Sequence, residues 1–355
     1  MADSYSGNIF YLETDSTDWT DKYTESPLPV ALDVSHNYIL RTMSHLKQYF
    51  KTVVALFSMT FVVFSCSTST EITASNYHIT KTPPGVVKIA DNFYCDQTEI
   101  CNVDWREYMF WAKRVFGVNS TEYTATIPDT MVWADKFSCL KSYEDNYLRK
   151  PEFNYYPVVG ITQQQARDFS KWRADRVFEK LLVDLNKIKF DPTQNSKTYF
   201  TIDKYFNGTY FNTKPNKKIT YFPDYRLPTL SERNHIIQYA DTVDSIYFDT
   251  CTLYYCLANK TNFPLFWSDV TPCVNDSIKT KPTVDARIPF SATIGHPIYN
   301  FRGHVGEWAS ENGVTFGGSW FDSRQAILQS DTFHVDRQNC WTGFRNVCEW
   351  KPWKE

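Results

Sequence analysis

The feature that most constrains this chain is a run of glycines and tryptophans near its carboxy terminus. Tyr299–Trp308 reads YNFRGHVGEW, and it is followed by Gly317-Gly318-Ser319-Trp320 and by Gly343-Phe344-Arg345. Glycine permits positive φ and close approach of one backbone to another. Tryptophan brings a large apolar area and a single N–H that needs a partner when buried. Together they imply loops clamped by aromatic packing, with little regular secondary structure.

The 355 residues suffice for one large domain or two average ones. An aromatic content of 17% places the chain among globular proteins and excludes general disorder. A formal net charge of −3 provides no basic footprint, so nucleic acid is not an expected partner.

Residues 52–64 (TVVALFSMTFVVF) are uncharged, preceded by Lys47 and Lys51 and followed by Ser65-Cys66. The run is too short to span a bilayer but suits the apolar region of a signal peptide. Val63-Phe64-Ser65-Cys66 resembles the lipobox of bacterial lipoproteins, which implies acylation at Cys66 and a mature chain that starts there. Residues 1–42 are acidic and unlike a signal-peptide start. The expected organisation is a non-native or disordered leader over 1–42, a lipoprotein signal peptide over 43–66, a polar tether over 67–82 and a single domain over 83–355.

Within that domain, Val86–Tyr94 reads as extended chain with a turn at Asp91-Asn92. Asn102 stands where it caps a helix whose Trp105, Tyr108, Met109, Ala112, Val115 and Phe116 share a face. Thr162 with Gln165 has capping-box spacing ahead of a second helix, with Ala166, Phe169, Trp172 and Val177 apolar and the Arg- and Lys-bearing side facing water. Residues 186–222 lack a clear period and read as a long insertion or a strand pair. Thr229 with Glu232 repeats the capping-box spacing before a short helix through Ile236, Ile237 and Ala240. Residues 241–295 read as long, disulfide-tied loops. No βαβ alternation, phosphate-binding glycine loop or GxSxG occurs, so the fold class is α+β with much irregular chain.

Of nine cysteines, eight remain beside Cys66, an even set compatible with up to four disulfides in an exported chain. Sequence-local pairing is expected: Cys95 with Cys101, Cys251 with Cys256, and Cys340 with Cys348. The lack of CxxC argues against a zinc ribbon or a thioredoxin-like site.

In order, Phe93–Asn102, Pro157-Val158-Val159 with Ala166 and Trp172, Tyr225–Thr229 with Glu232, Gly303–Trp308, Gly317–Trp320 and Gly343–Arg345 resemble the formylglycine-generating enzyme, or sulfatase-modifying-factor, family. The resemblance covers 83–350 and implies a C-type-lectin-like fold with several long loops. Pro128-Asp129-Thr130, Trp133, Tyr147 and Tyr156–Gly160 look more like the lipoproteins of gliding motility and type IX secretion than like the enzymes.

In the enzymes, two cysteines after the Gly-Gly-Ser-Trp motif bind copper, and soft thiolates select Cu(I). Asp322 and Ile327 stand at those positions, so Asp322, Ile327, Ser319 and Trp320 mark a degenerate site and no formylglycine-generating activity is expected. His235, His296, His304 and His334 show no HxxxH spacing for iron. The family's calcium loop matches Tyr299–Trp308, with Asn300 where an Asp is expected, His304 where an Asn is expected, and Glu307 retained. Calcium prefers several charged oxygen ligands, so this site is weakened, and an ion pair of Glu307 with Arg345 or Arg324 is the favoured reading.

These readings point to a non-catalytic, lipid-anchored scaffold of the cell envelope. It would face the periplasm from the outer membrane, with envelope protein partners and no cofactor. Two other classes compete with it: an enzyme, either an oxidase using another metal or another activity with Asp322, His304 and Glu307 in a cleft, and a lectin-like module binding glycans or peptides. A filled surrounding at Asp322 and Ile327 favours the scaffold, and an open polar cleft favours the enzyme.

Overall fold

The expected turn at Asp91-Asn92 forms and makes the extended stretch a hairpin: β1 (Val86–Ala90) and β2 (Phe93–Asp96) pair antiparallel around Asn92, which adopts φ 53°. The computed structural model describes residues 81–134, 138–211, 213–244, 273–274, 277–278, 298–301, 303–322, 326, 330 and 332–354. The expectations for 1–42, for 43–66 with Cys66 and for most of the 67–82 tether lie outside the described residues, as do Ile327 and the pairing of Cys251 with Cys256.

Among the described residues six α-helices follow: α1 (Asn102–Phe116), α2 (Thr121–Thr124), α3 (Lys141–Asn146), α4 (Gln163–Asp184), α5 (Ile202–Phe206) and α6 (Leu230–Asp244). The further strands are β3 (Tyr221–Arg226), β4 (Cys273–Val274), β5 (Ser277–Ile278), β6 (Gly306–Trp308), β7 (Val314–Phe316), β8 (Thr332–His334), β9 (Thr342–Gly343) and β10 (Val347–Pro352). They make an antiparallel sheet in the order β1-β2-β10-β3, a small β4-β5 hairpin, and a sheet β8-β7-β6-β9 in which β6 and β9 run parallel. The architecture is α+β, as expected.

Both capping boxes form. Thr162 and Gln165 bond reciprocally at the start of α4, and Thr229 and Glu232 do so at the start of α6. At α1 the expectation is corrected. Cys101 is the N-cap, its N–H donating to Asp104 Oδ2 at 3.0 Å, and Asn102 begins the helix. The Asn102 amide is drawn inward, donating to the carbonyls of Tyr147 and Phe153 at 3.0 Å.

On α4 the apolar face is buried as expected, and Lys171 and Lys180 face water, but the two arginines between them do not. Arg173 and Arg176 are 8% and 3% exposed. The helix packs on β3 and is also covered by the 186–220 segment, so these two positions are closed off from water. Each arginine therefore carries its own counter-charge: Arg173 binds Asp96 at 2.8 Å and Arg176 binds Glu179. The 186–222 segment also differs from a strand pair. It forms α5 between loops and enters a strand only at Tyr221.

The cysteine expectation is corrected as well. Cys95 and Cys348 are buried thiols, so neither Cys95–Cys101 nor Cys340–Cys348 forms. Alternation along β2 and β10 sends Cys95 and Cys348 into different clusters, and Cys340 lies in a third. Cys139 is disulfide-bonded.

The tryptophan–glycine segments meet the helices at an aromatic junction. Trp105 of α1 stacks on Phe169 of α4 at 5.3 Å, and Phe344 meets both edge-on, at 6.0 and 5.5 Å. These three rings link the carboxy-terminal frame to the helical layer.

Candidate functional site

The three segments singled out in the sequence converge. Gly303 N–H donates to Gly317 O at 2.9 Å, Trp320 N–H to His304 O at 2.9 Å, and Gly306 N–H to Trp341 O at 2.9 Å. Glu307 on β6 sits opposite Phe316 on one side and Gly343 on the other. Two glycines are required by the geometry. Gly317 has φ 86°, and a Cβ there would lie 2.9 Å from Phe301 O; a Cβ on Gly343 would lie 2.8 Å from Val158 O. The close approach at Gly317 is thus to a neighbouring backbone carbonyl. Asn300 and His304 also take left-handed backbone, with φ 56° and 63°.

At the centre lies a buried ion pair. Arg345 and Glu307 are 0% and 1% exposed, and Arg345 Nε donates to both Glu307 oxygens, at 2.8 and 2.7 Å. Arg345 Nη2 also donates to Tyr299 O at 2.8 Å, and Nη1 reaches the carbonyls of Asp96 and Gln97 at 3.3 and 3.4 Å. One guanidinium therefore ties the end of β2, the 299–301 loop and β6 together. Burial raises the Glu307 carboxyl against the pull of Arg345, while Glu307 and Glu99 hold Arg345 firmly charged.

His304 is equally committed. Its Nδ1 lies 2.8 Å from Glu99 Oε1, and Glu99 is 1% exposed. The second Glu99 oxygen has no hydrogen-bond partner among the described residues. Sequence reading placed Glu99 in a motif without assigning it this role; the two residues are 205 positions apart.

Asp322 closes a turn, its Oδ2 accepting from Ser319 N–H at 2.8 Å and from Ser319 Oγ at 2.6 Å. Beside it Ser319 and Trp320 are buried, and the indole N–H of Trp320 donates to Cys340 O at 3.2 Å. Phe321 stacks on Trp341 at 4.2 Å. Asp322 itself is partly exposed, and among the described residues its carboxylate is bonded to Ser319 beside the stacked Phe321 and Trp341.

Asn300, His304 and Glu307 share one loop, but the oxygens of Glu307 are engaged by Arg345. Among the described residues no group of three His, Cys, Asp or Glu side chains is arranged to hold a metal ion. Burial raises the thiols of Cys95 and Cys348, so neither offers a ready thiolate. The arrangement neutralises charge in a dry interior and fixes three loops.

No family model matches the chain, and no curated protein does. Among solved structures, it is similar to one described as the crystal structure of CarF, with 16% identity over 74% of this chain and 87% of that chain and a TM-score of 0.35. A likeness at that level carries no argument about this chain. No helix among the described residues is long and apolar enough to cross a membrane.

Proposed function

We propose that this chain is a non-catalytic, lipid-anchored scaffold of the cell envelope, with a sulfatase-modifying-factor-like fold of the C-type lectin kind. Gliding motility and type IX secretion are the settings that its resemblance suggests. The observation that carries the reading is the commitment of Asp322. Standing where the resembled enzymes place a copper-binding cysteine, its carboxylate closes the Ser319 turn. The Glu307–Arg345 pair supports the same reading at the position of the calcium loop, since a bidentate guanidinium satisfies the oxygens that a cation needs. Anchoring rests on the lipobox-like Val63–Cys66, and acylation at more than one chain gives stable membrane attachment.

The test is cross-linking in intact membranes of the source cells followed by purification of the full chain. A discrete complex with envelope proteins, together with an acylated Cys66 by mass spectrometry, is the expected result. A uniformly monomeric, unacylated species that retains residues 1–42 contradicts it.

A further inference from the structure

The 186–218 segment carries charge of a kind found nowhere else in the chain. Between Lys187 and Lys218 there are seven lysines and two aspartates, with no glutamate or arginine, in a protein whose overall charge is negative. Lys187, Lys189, Lys197, Lys214, Lys217 and Lys218 are exposed. A groove of about 610 Å³ opens here, lined by Asn186, Lys187, Lys189, Phe190, Tyr210 and Phe211 among others. That volume falls within the range of ligand sites.

Two of its aromatic rings face outward against the usual preference. Phe190 is 53% exposed and Phe211 is 54% exposed. Phe211 also adopts φ 46°, a conformation that a bulky residue rarely takes. Backbone held in such a region while presenting an apolar ring is a mark of functional surfaces. Tyr210, 3% exposed, lines the same groove, and its hydroxyl has no hydrogen-bond partner among the described residues. The groove's one carboxylate, Asp191, accepts through Oδ1 from Thr193 N–H at 2.8 Å and Thr193 Oγ1 at 2.6 Å, which turns that oxygen into the local backbone.

The groove is also preorganised. Asp175 accepts the N–H of Ile202 at 2.8 Å, Gln194 binds both Glu179 and Phe200 N–H, and Arg176 donates to Phe200 O. Phe200, Ile202, Tyr205, Tyr210 and Ile219 then pack on Phe178, Leu181 and Leu182 of α4. A rigid wall loses little conformational entropy on binding.

We infer that this groove docks an acidic, aromatic-bearing peptide segment of a partner protein. The lysines match carboxylates by charge, Phe190 and Phe211 receive an apolar side chain, and the concave shape suits a chain segment better than a flat surface. The inference rests on the scaffold reading for its expectation of a protein partner.

The experiment is fluorescence anisotropy with the full chain and a labelled peptide of alternating glutamate and phenylalanine. A glutamate–serine peptide, a lysine–phenylalanine peptide and anionic phospholipid vesicles serve as the other arms. The glutamate–phenylalanine peptide is expected to bind, more weakly as salt rises. The double variant K187E/K189E abolishes binding, and Phe190→Ser or Phe211→Asn weakens it about tenfold, as expected for lost anchor residues. Asn tolerates positive φ better than Phe, so Phe211→Asn keeps or raises the melting temperature while losing affinity, which separates binding from folding. No peptide binding, binding indifferent to these substitutions, equal binding of the serine peptide, or vesicle binding in place of peptide binding overturns the inference. If the peptide fails while cross-linking still yields an envelope complex, only the groove is wrong. If the peptide binds and cross-linking yields no partner, the scaffold reading is wrong.

Discussion

The carboxy-terminal frame and the 186–218 segment treat charge in opposite ways. In the frame, the side chains of Glu99, His304, Glu307 and Arg345 are buried: His304 pairs with Glu99, and Arg345 pairs with Glu307 and bonds the Tyr299 backbone, while one Glu99 oxygen has no hydrogen-bond partner among the described residues. In the segment, the anchoring charges Asp175, Arg176 and Glu179 are buried beneath it, while six lysines and two phenylalanines face outward. Buried paired charge that closes on itself fixes shape, and outward charge beside exposed aromatics is available to another molecule.

Breaking the frame should have the largest effect. Arg345→Met leaves the buried Glu307 carboxyl and three backbone carbonyls without their partner, a loss of roughly 3–5 kcal/mol in denaturant unfolding. A loss below about 1 kcal/mol would mean that the pair does not hold the three loops.

Next is the anchor of the segment. Burial pushes the Asp175 carboxyl up from 3.8 to about 6, against the Ile202 N–H that favours the anion. The folded chain then holds a proton that the unfolded chain has released, so the contribution of Asp175 to stability is greatest below 3.8 and is lost as pH rises through about 6. The integrated change is roughly 3 kcal/mol at two units of separation. Thermal unfolding across that window should show the decline in the parent and a shallower one in Asp175→Asn, which keeps an acceptor for Ile202. Equal slopes in the two proteins would remove Asp175 from the account.

Gly317→Ala tests the close approach within the frame. With φ 86° and Phe301 O at 2.9 Å from the added carbon, it should cost about 1–3 kcal/mol, whereas Gly117→Ala, where nothing lies within 4 Å, meets only the backbone term. Equal losses at the two sites would show that the approach is not the constraint.

Smallest is Asp322→Ala, which releases the Ser319 turn. A loss of about 1 kcal/mol with no change in metal content is expected for a turn-closing carboxylate. A changed metal content would turn the degenerate position back into a ligand.

What was legible beforehand followed sequence distance. Thr162 with Gln165 and Thr229 with Glu232 were readable because each box spans three residues and its chemistry is local. Val86–Tyr94 was readable because Asp91-Asn92 interrupts a short alternating run. The burial of Arg173 and Arg176 was not: Arg173 is covered by Pro84, Asp96, Tyr225 and Asn346 and Arg176 by the segment around Phe200, all distant in sequence from α4 or unmarked by composition as its cover. The Glu307–Arg345 pair was one of the two pairings expected for Glu307 and forms, whereas His304 and Glu99 are 205 positions apart and only the fold pairs them. The cysteines misled for a related reason: closeness along the chain does not place two side chains on the same face of a strand or in the same cluster.

The central claim is that the frame holds a shape and not a metal. Elemental analysis of the full chain purified from its native membranes tests this most directly. The account predicts no stoichiometric copper, iron or calcium. One equivalent of any of them, retained after dialysis and lost in Glu307→Gln or Asp322→Ala, would contradict it.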